Sequence, residues 1–133
     1  MLNGAIAGLV AITAEPLTPS PFTAILIGGV GGLIAVFGTH LLYKFKIDDV
    51  VGAIPAHLFA GIWGTLIVPI TNNTVSFSSQ LLGIISINAF VFIVSFVVWF
   101  IMKQTIGIRL SKEAEKIGTD KTEVGVVAYS IRD

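Results

Sequence analysis

Residues 48–64 read DDVVGAIPAHLFAGIWG: a pair of carboxylates, Asp48 and Asp49, opens a run in which no Asp, Glu, Lys or Arg occurs again until Lys103. One ionisable side chain sits inside that interval, His57, two residues after Pro55. Read as a helix from Val50 to Ile70, the run is long enough to cross a bilayer, and an ionisable residue held at that depth is costly enough to mark a functional site. Asp48 and Asp49 then precede a helix N-terminus, where free amide hydrogens and the positive helix end favour carboxylates, so both are read as structural N-caps. Pro55 removes a backbone donor and is expected to kink the span, with neighbouring helices or water satisfying the freed carbonyl. At helical rise, His57 lies about 10 Å along the span from its charged end. Two readings of His57 stand at this point. It is either a neutral imidazole hydrogen-bonded to another helix, or a pore or relay residue, because neutral imidazole both donates and accepts.

Composition agrees with a bilayer setting. The 133 residues are 54% hydrophobic and 12% charged, where a soluble domain carries about 25% charged residues. Too little polar surface exists to cover a water-soluble globule, so the class is integral membrane protein. Net charge is zero, and no Arg/Lys cluster with interleaved aromatics is present to hold phosphates, which excludes nucleic acid as a partner. The lack of cysteine removes disulfides, thiolate chemistry and Cys-type metal sites. Nothing supplies a third ligand to His40 and His57, so neither a metal nor another cofactor is assigned. The carboxylate pair shows no cleft and no partner, and no enzymatic site is assigned either. The N-terminal MLNGAIAGLV has no basic region of the signal-peptide kind.

Working outward, Leu2–Ala14 is an apolar run that would give roughly 20 Å of helix, short of the ~30 Å hydrocarbon core. It is read as the tail of a longer helix, with Met1 as an internal methionine. EPLTPSP (15–21) is a loop by its prolines. Phe22–Tyr43 is a full span whose Gly28 and Gly32, at i and i+4, let another helix approach closely; no strand precedes its glycines and no GK[ST] follows, so a phosphate loop is excluded. His40, within a turn of Lys44, is expected to reach headgroups. TNNTVSFSSQ (71–80) is an uncharged loop holding the sequon Asn72-Asn73-Thr74. Leu81–Met102 is the last span, with Asn88 expected to hydrogen-bond between helices and Trp99 to sit at the interface; Trp63 is either packing or pore lining. The expected organisation is therefore residues 1–102 as membrane helices (2–14 partial, 22–43, 50–70, 81–102) and 103–133 as a tail. In the tail Ser111 caps a short helix from Lys112 to Ile117, Gly118 ends it, and Val124, Val126, Val127 and Tyr129 are apolar enough to dock.

All eight basic residues (Lys44, Lys46, Lys103, Arg109, Lys112, Lys116, Lys121 and Arg132) fall in 44–49 or in the tail. Alternating spans put those segments on one side, which the positive-inside rule makes cytoplasmic. The expectation is a multi-pass protein of the cell membrane with its C-terminus inside.

Several stretches together resemble the C-terminal part of the ammonium transporters (Amt/Mep/Rh). They are Asn3-Gly4 with AGLVAITA (7–14), Asp48-Asp49 with GAIPAH (52–57), AGIWGT (60–65), and a tail opening TIGIR (105–109) and continuing through Glu113, Glu115, Gly118, Asp120, Glu123, Gly125 and Ala128-Tyr129. The resemblance covers essentially the whole chain and is specific jointly. It implies an all-α integral membrane bundle forming part of an eleven-helix, trimeric protomer with a narrow hydrophobic pore. The chain then corresponds to the end of the eighth helix, the ninth to eleventh helices and the cytoplasmic tail. By resemblance His57 is the second of two paired pore histidines, Ala53 lines the pore one turn earlier, and Asp49 is a structural carboxylate opening the tenth helix. Two departures bear on this: Leu58 stands where many relatives have Gly, and Val124 and Val126 replace a His and a Glu. The second departure puts in doubt the coupling of the tail to neighbouring subunits and to a PII-type nitrogen-signalling regulator.

The expectation is thus an ammonium or ammonia transporter portion that is inactive without further helices. Two alternatives remain: a regulatory membrane module that co-assembles with intact transporters, and a small structural or channel-forming oligomer. Methylammonium uptake by the chain alone tests its autonomy: none is expected, and robust uptake would overturn the first reading.

Overall fold

A computed structural model describes residues 2–128; Met1, the expected docking residue Tyr129 and Arg132 lie outside the described residues. Among those residues all regular structure is helical, with no strand. In order come α1 (Leu2–Ile12), α2 (Pro21–Lys44), a π-helical turn (Ile54–Phe59) leading directly into α3 (Ala60–Thr71), α4 (Phe77–Thr105), α5 (Lys112–Ile117) and a second π-helical turn (Asp120–Val124). Three helical segments are long and apolar enough to cross a membrane: Pro21–Lys44, Ile54–Thr71 and Phe77–Thr105. Two compact units result, Met1–Ala89 and Phe90–Asp133.

In the first unit the core is built from small side chains. Ala7, Ala11, Ala35, Ala56 and Ala60 are buried, with Ile27, Leu42 and Val68 the larger members. Lipid tails are as apolar as leucine, so helices in a bilayer associate through close backbone approach rather than by sequestering large side chains. The α1–α2 contact does this with glycine on both sides. A Cβ at Gly28 would stand 3.3 Å from the Gly8 carbonyl oxygen, and one at Gly32 would stand 3.2 Å from that of Gly4. The i,i+4 glycine pair therefore has α1 as its partner. Trp63 Nε1–H donates to the Ile27 carbonyl at 3.1 Å, tying α3 to α2 and giving Trp63 a packing role. Asn72 Nδ2–H donates to Glu15 Oε2 at 3.1 Å, bringing the chain after α1 beside the end of α3.

The third span starts later than its composition suggests. Val50 and Val51 form a turn, Gly52 has φ 71°, and the helical turn begins at Ile54 rather than Val50. Pro55 consequently occupies the first turn, where its missing N–H leaves nothing unsatisfied. The kink expected from an interior proline is replaced by a widened π-helical turn, and the interior proline of α3 is Pro69. Helix α4 also starts early, at Phe77, because Ser76 Oγ accepts from Ser79 N–H at 3.2 Å and caps it. It runs 29 residues with none buried, roughly 43 Å at helical rise.

In the second unit the C-terminal part of α4 carries Phe92, Phe96 and Phe100 on one face, their rings stacked at 6.4 and 6.3 Å. Ser111 Oγ accepts from Ala114 N–H at 3.1 Å, capping α5 as the sequence implies, and Gly118 ends it with φ 106°. The exposed Arg109–Glu115 pair at 2.9 Å adds little stability. Asp120 organises the following turn. Its Oδ2 accepts from Ala128 N–H and its Oδ1 from Lys121 N–H, both at 2.9 Å, and these bonds, Ala128's first, hold its carboxyl below the usual 3.8. A lowered folded-state pKa means that the stabilisation is present above the unfolded value of about 3.9 and lost as pH falls through the folded value. The Ala128 amide resonance is therefore expected to hold its position from neutral pH to about pH 4 and to shift below it; a resonance that does not move on acidification contradicts this assignment.

Candidate functional site

The site is built on the π-helical turn. Asp49 sets its start: Oδ1 accepts from Ala53 N–H at 2.9 Å and Oδ2 from Ile54 N–H at 2.8 Å. One carboxylate thus satisfies two free helix-start donors across a glycine-led turn. Asp48, expected to share that role, is exposed, and among the described residues no hydrogen bond from the helix start reaches it. Asn3 Nδ2–H donates to the Val51 carbonyl at 2.7 Å and fixes the preceding turn to α1. Asp49→Ala is expected to cost about 0.5–2 kcal/mol of stability, the usual worth of a cap, while Asp48→Ala costs almost nothing. Thermal unfolding of the two variants in bilayers checks this, and equal losses would refute it.

His57 follows one turn after that cap, so it lies nearer the helix start than the roughly 10 Å counted from Val50. Its side chain is exposed and opens on a groove of about 260 Å³. One wall of the groove presents His57, Gly61 and Thr65, and the other Gln80, Ile84 and Asn88. Each triplet has i, i+4, i+8 spacing and so occupies one helix face. Leu58 also lines the groove, at the level where the resemblance leads one to look for glycine. Ala53 does not belong to this lining. It is exposed, one turn before His57, with its N–H held by Asp49.

The polar groups of the groove are uncharged. Thr65 Oγ–H donates to the Gly61 carbonyl at 2.9 Å, and Asn88 Nδ2–H donates to the Ile84 carbonyl at 2.8 Å. Asn88 therefore bonds within its own helix, not between helices as expected. Thr65 Oγ and Asn88 Oδ1 thus keep lone pairs as acceptors, while Asn88 retains a second amide hydrogen and Gln80 brings an amide that both donates and accepts. No hydrogen bond among the described residues engages the His57 ring nitrogens, and no charged side chain lines the groove. Such a surface suits a small uncharged polar solute and supplies acceptors for any N–H it carries. Thr65 and Gln80 escaped the sequence reading, although their spacing from His57 and Asn88 was the available signal.

His40 differs in kind. Its Nδ1 stands 2.9 Å from the Val36 carbonyl, and since a carbonyl only accepts, Nδ1 carries the hydrogen and the ring is anchored to its own helix. It borders a separate open cleft with Asn3 and Thr39. Among the described residues no group of His, Cys, Asp or Glu could hold a metal ion.

A family model described as the Ammonium Transporter Family matches residues 1–129. The chain is 39% identical over 147 residues to the ammonium transporter Amt2 of Archaeoglobus fulgidus, covering 96% of this chain and 31% of that protein. It is 34% identical over 144 residues to the ammonium transporter of Bacillus subtilis, covering 96% of this chain and 36% of that protein. The chain thus spans about a third of the length of these curated relatives.

Proposed function

Because the chain belongs to the Ammonium Transporter Family, a family of multi-pass membrane proteins, we propose that it contributes one wall of a conduit for ammonium or ammonia, with His57 on the conduit side. The observation that carries this reading is the His57 groove, uncharged, supplied with acceptors and bordered by an imidazole whose nitrogens have no hydrogen-bond partner among the described residues. A bare ammonium ion entering a dry passage loses its hydration at a cost of several kcal/mol. Passing ammonia while an imidazole handles the proton avoids most of that cost, and neutral imidazole can both accept and donate it.

The groove is partly open to its surroundings, whereas a dry passage needs a closed wall. In this reading further helices complete the wall, and the His57 nitrogens, without a partner among the described residues, receive one from them. The resemblance supplies that partner as the first histidine of the pair and the assembly as a homotrimer. The clustering of basic residues in 44–49 and the tail supports, by the positive-inside rule, a cytoplasmic side of the cell membrane for both segments. A PII-type regulator acting at the tail belongs to the same reading, with Val124 and Val126 altering the contact.

The test is a chimera in which residues 2–128 replace the matching segment of the Archaeoglobus fulgidus Amt2 protein, with methylammonium uptake measured in vesicles. Uptake by the inserted chimera and none by the chain alone is the expected result. Uptake by the chain alone would remove the need for further helices, and an inserted but inactive chimera would remove the proposed role.

A further inference from the structure

We propose that Gly38 of α2 is a positioning residue for His57, an inference that rests on reading His57 as a conduit residue. Gly38 is buried where α2 meets the π-helical turn. A Cβ there would stand 2.9 Å from Pro55 Cβ and 2.7 Å from Phe59 Cδ2, well inside the ~3.5–4.0 Å at which carbon atoms pack. The Phe59 ring could swing aside. Pro55 could not, since its ring is fused to the backbone and the residue is fully buried.

The geometry ties this seat to the imidazole. Pro55 and Phe59 lie two residues before and two after His57, and residues two apart point to roughly opposite sides of a helical turn. Seating both on Gly38 turns His57 away from α2 and towards the groove. The wide turn adds to the dependence, because π-helical backbone is rare, recurs at functional sites and persists only where its surroundings fix it. Asp49 fixes the start of the turn and Gly38 its flank. The other closely packed α2 glycines, Gly28, Gly31 and Gly32, face α1 instead.

The chain has two histidines, so ¹⁵N-histidine labelling of the full chain in bilayers gives two imidazoles, and His40→Gln assigns them. Gly38→Ala is expected to shift the His57 resonances and leave His40 unmoved. Gly29→Ala, with nothing within 4 Å of the added Cβ, is expected to shift neither. Should Gly38→Ala fail to insert, Phe59→Ala removes one side of the seat without a clash and is expected to shift His57 alone. In the active chimera, Gly38→Ala is expected to lower the rate of methylammonium uptake about tenfold, the scale on which small misplacements of an acting group are felt. Unmoved His57 resonances in an inserted Gly38→Ala protein would overturn the positioning role whatever the uptake. Shifted resonances with unchanged uptake would uphold it and overturn the conduit role of His57.

Discussion

His57→Ala is expected to reduce methylammonium uptake by the assembled transporter about tenfold or more, while His40→Ala leaves it near the unsubstituted level. A hydrogen bond to a charged or strongly polar partner in a dry site is worth about 1.5–3 kcal/mol, and each 1.4 kcal/mol of barrier is tenfold in rate. The two histidines are close in sequence but differ in what their nitrogens touch. The His40 ring is anchored on the Val36 carbonyl, whereas His57 opens on the uncharged polar groove. Similar losses at both positions would mean that uptake responds to any histidine removed from these helices, and the distinction drawn from hydrogen bonding would fall.

The largest expected effect on stability is at Gly64. It is buried in α3, and a Cβ added there would run into the carbonyl oxygen of Ala11, with that residue's carbonyl carbon and Cα both at 2.9 Å. The obstacle is backbone, so no rotamer change relieves it, and α1 must move away from α3. Overpacking of this kind costs about 1–3 kcal/mol or more. Gly64→Ala should lower the unfolding midpoint in bilayers markedly. Gly83→Ala, with nothing within 4 Å of the new Cβ, should leave it unchanged or raise it, because alanine is favoured over glycine in a helix by up to about 1 kcal/mol. Equal behaviour of the two variants would contradict the packing described for α1 and α3.

Much of this architecture is legible from residue type alone. Long uncharged runs can only be satisfied as helices in a bilayer, so the three spanning segments follow from composition. Gly28 and Gly32 announce a close helix contact, and Ser111 with Gly118 brackets α5 because each residue does one local job well. Start points were less legible because they depend on contacts distant in sequence. Nothing local in Val50-Val51 says that Gly52 will take a left-handed conformation beneath Asn3, and once it does, the helix starts later and Pro55 becomes a first-turn residue.

The site was visible in part. An isolated imidazole in an apolar run singled out His57, but its groove partners on α4 depend on tertiary placement. Asn88 carried the polar signal without saying that its amide would bond within its own helix. Gly38 gave no signal at all, since the clash it avoids involves two residues of another helix.

The most direct measurement of the central claim is solid-state NMR of ¹⁵N-histidine-labelled transporter in bilayers, reading which protons transfer magnetisation to each imidazole. The account predicts that His57 couples to water or to added methylammonium. Transfer to His57 from lipid acyl-chain protons alone would place the ring on the outer surface and contradict it.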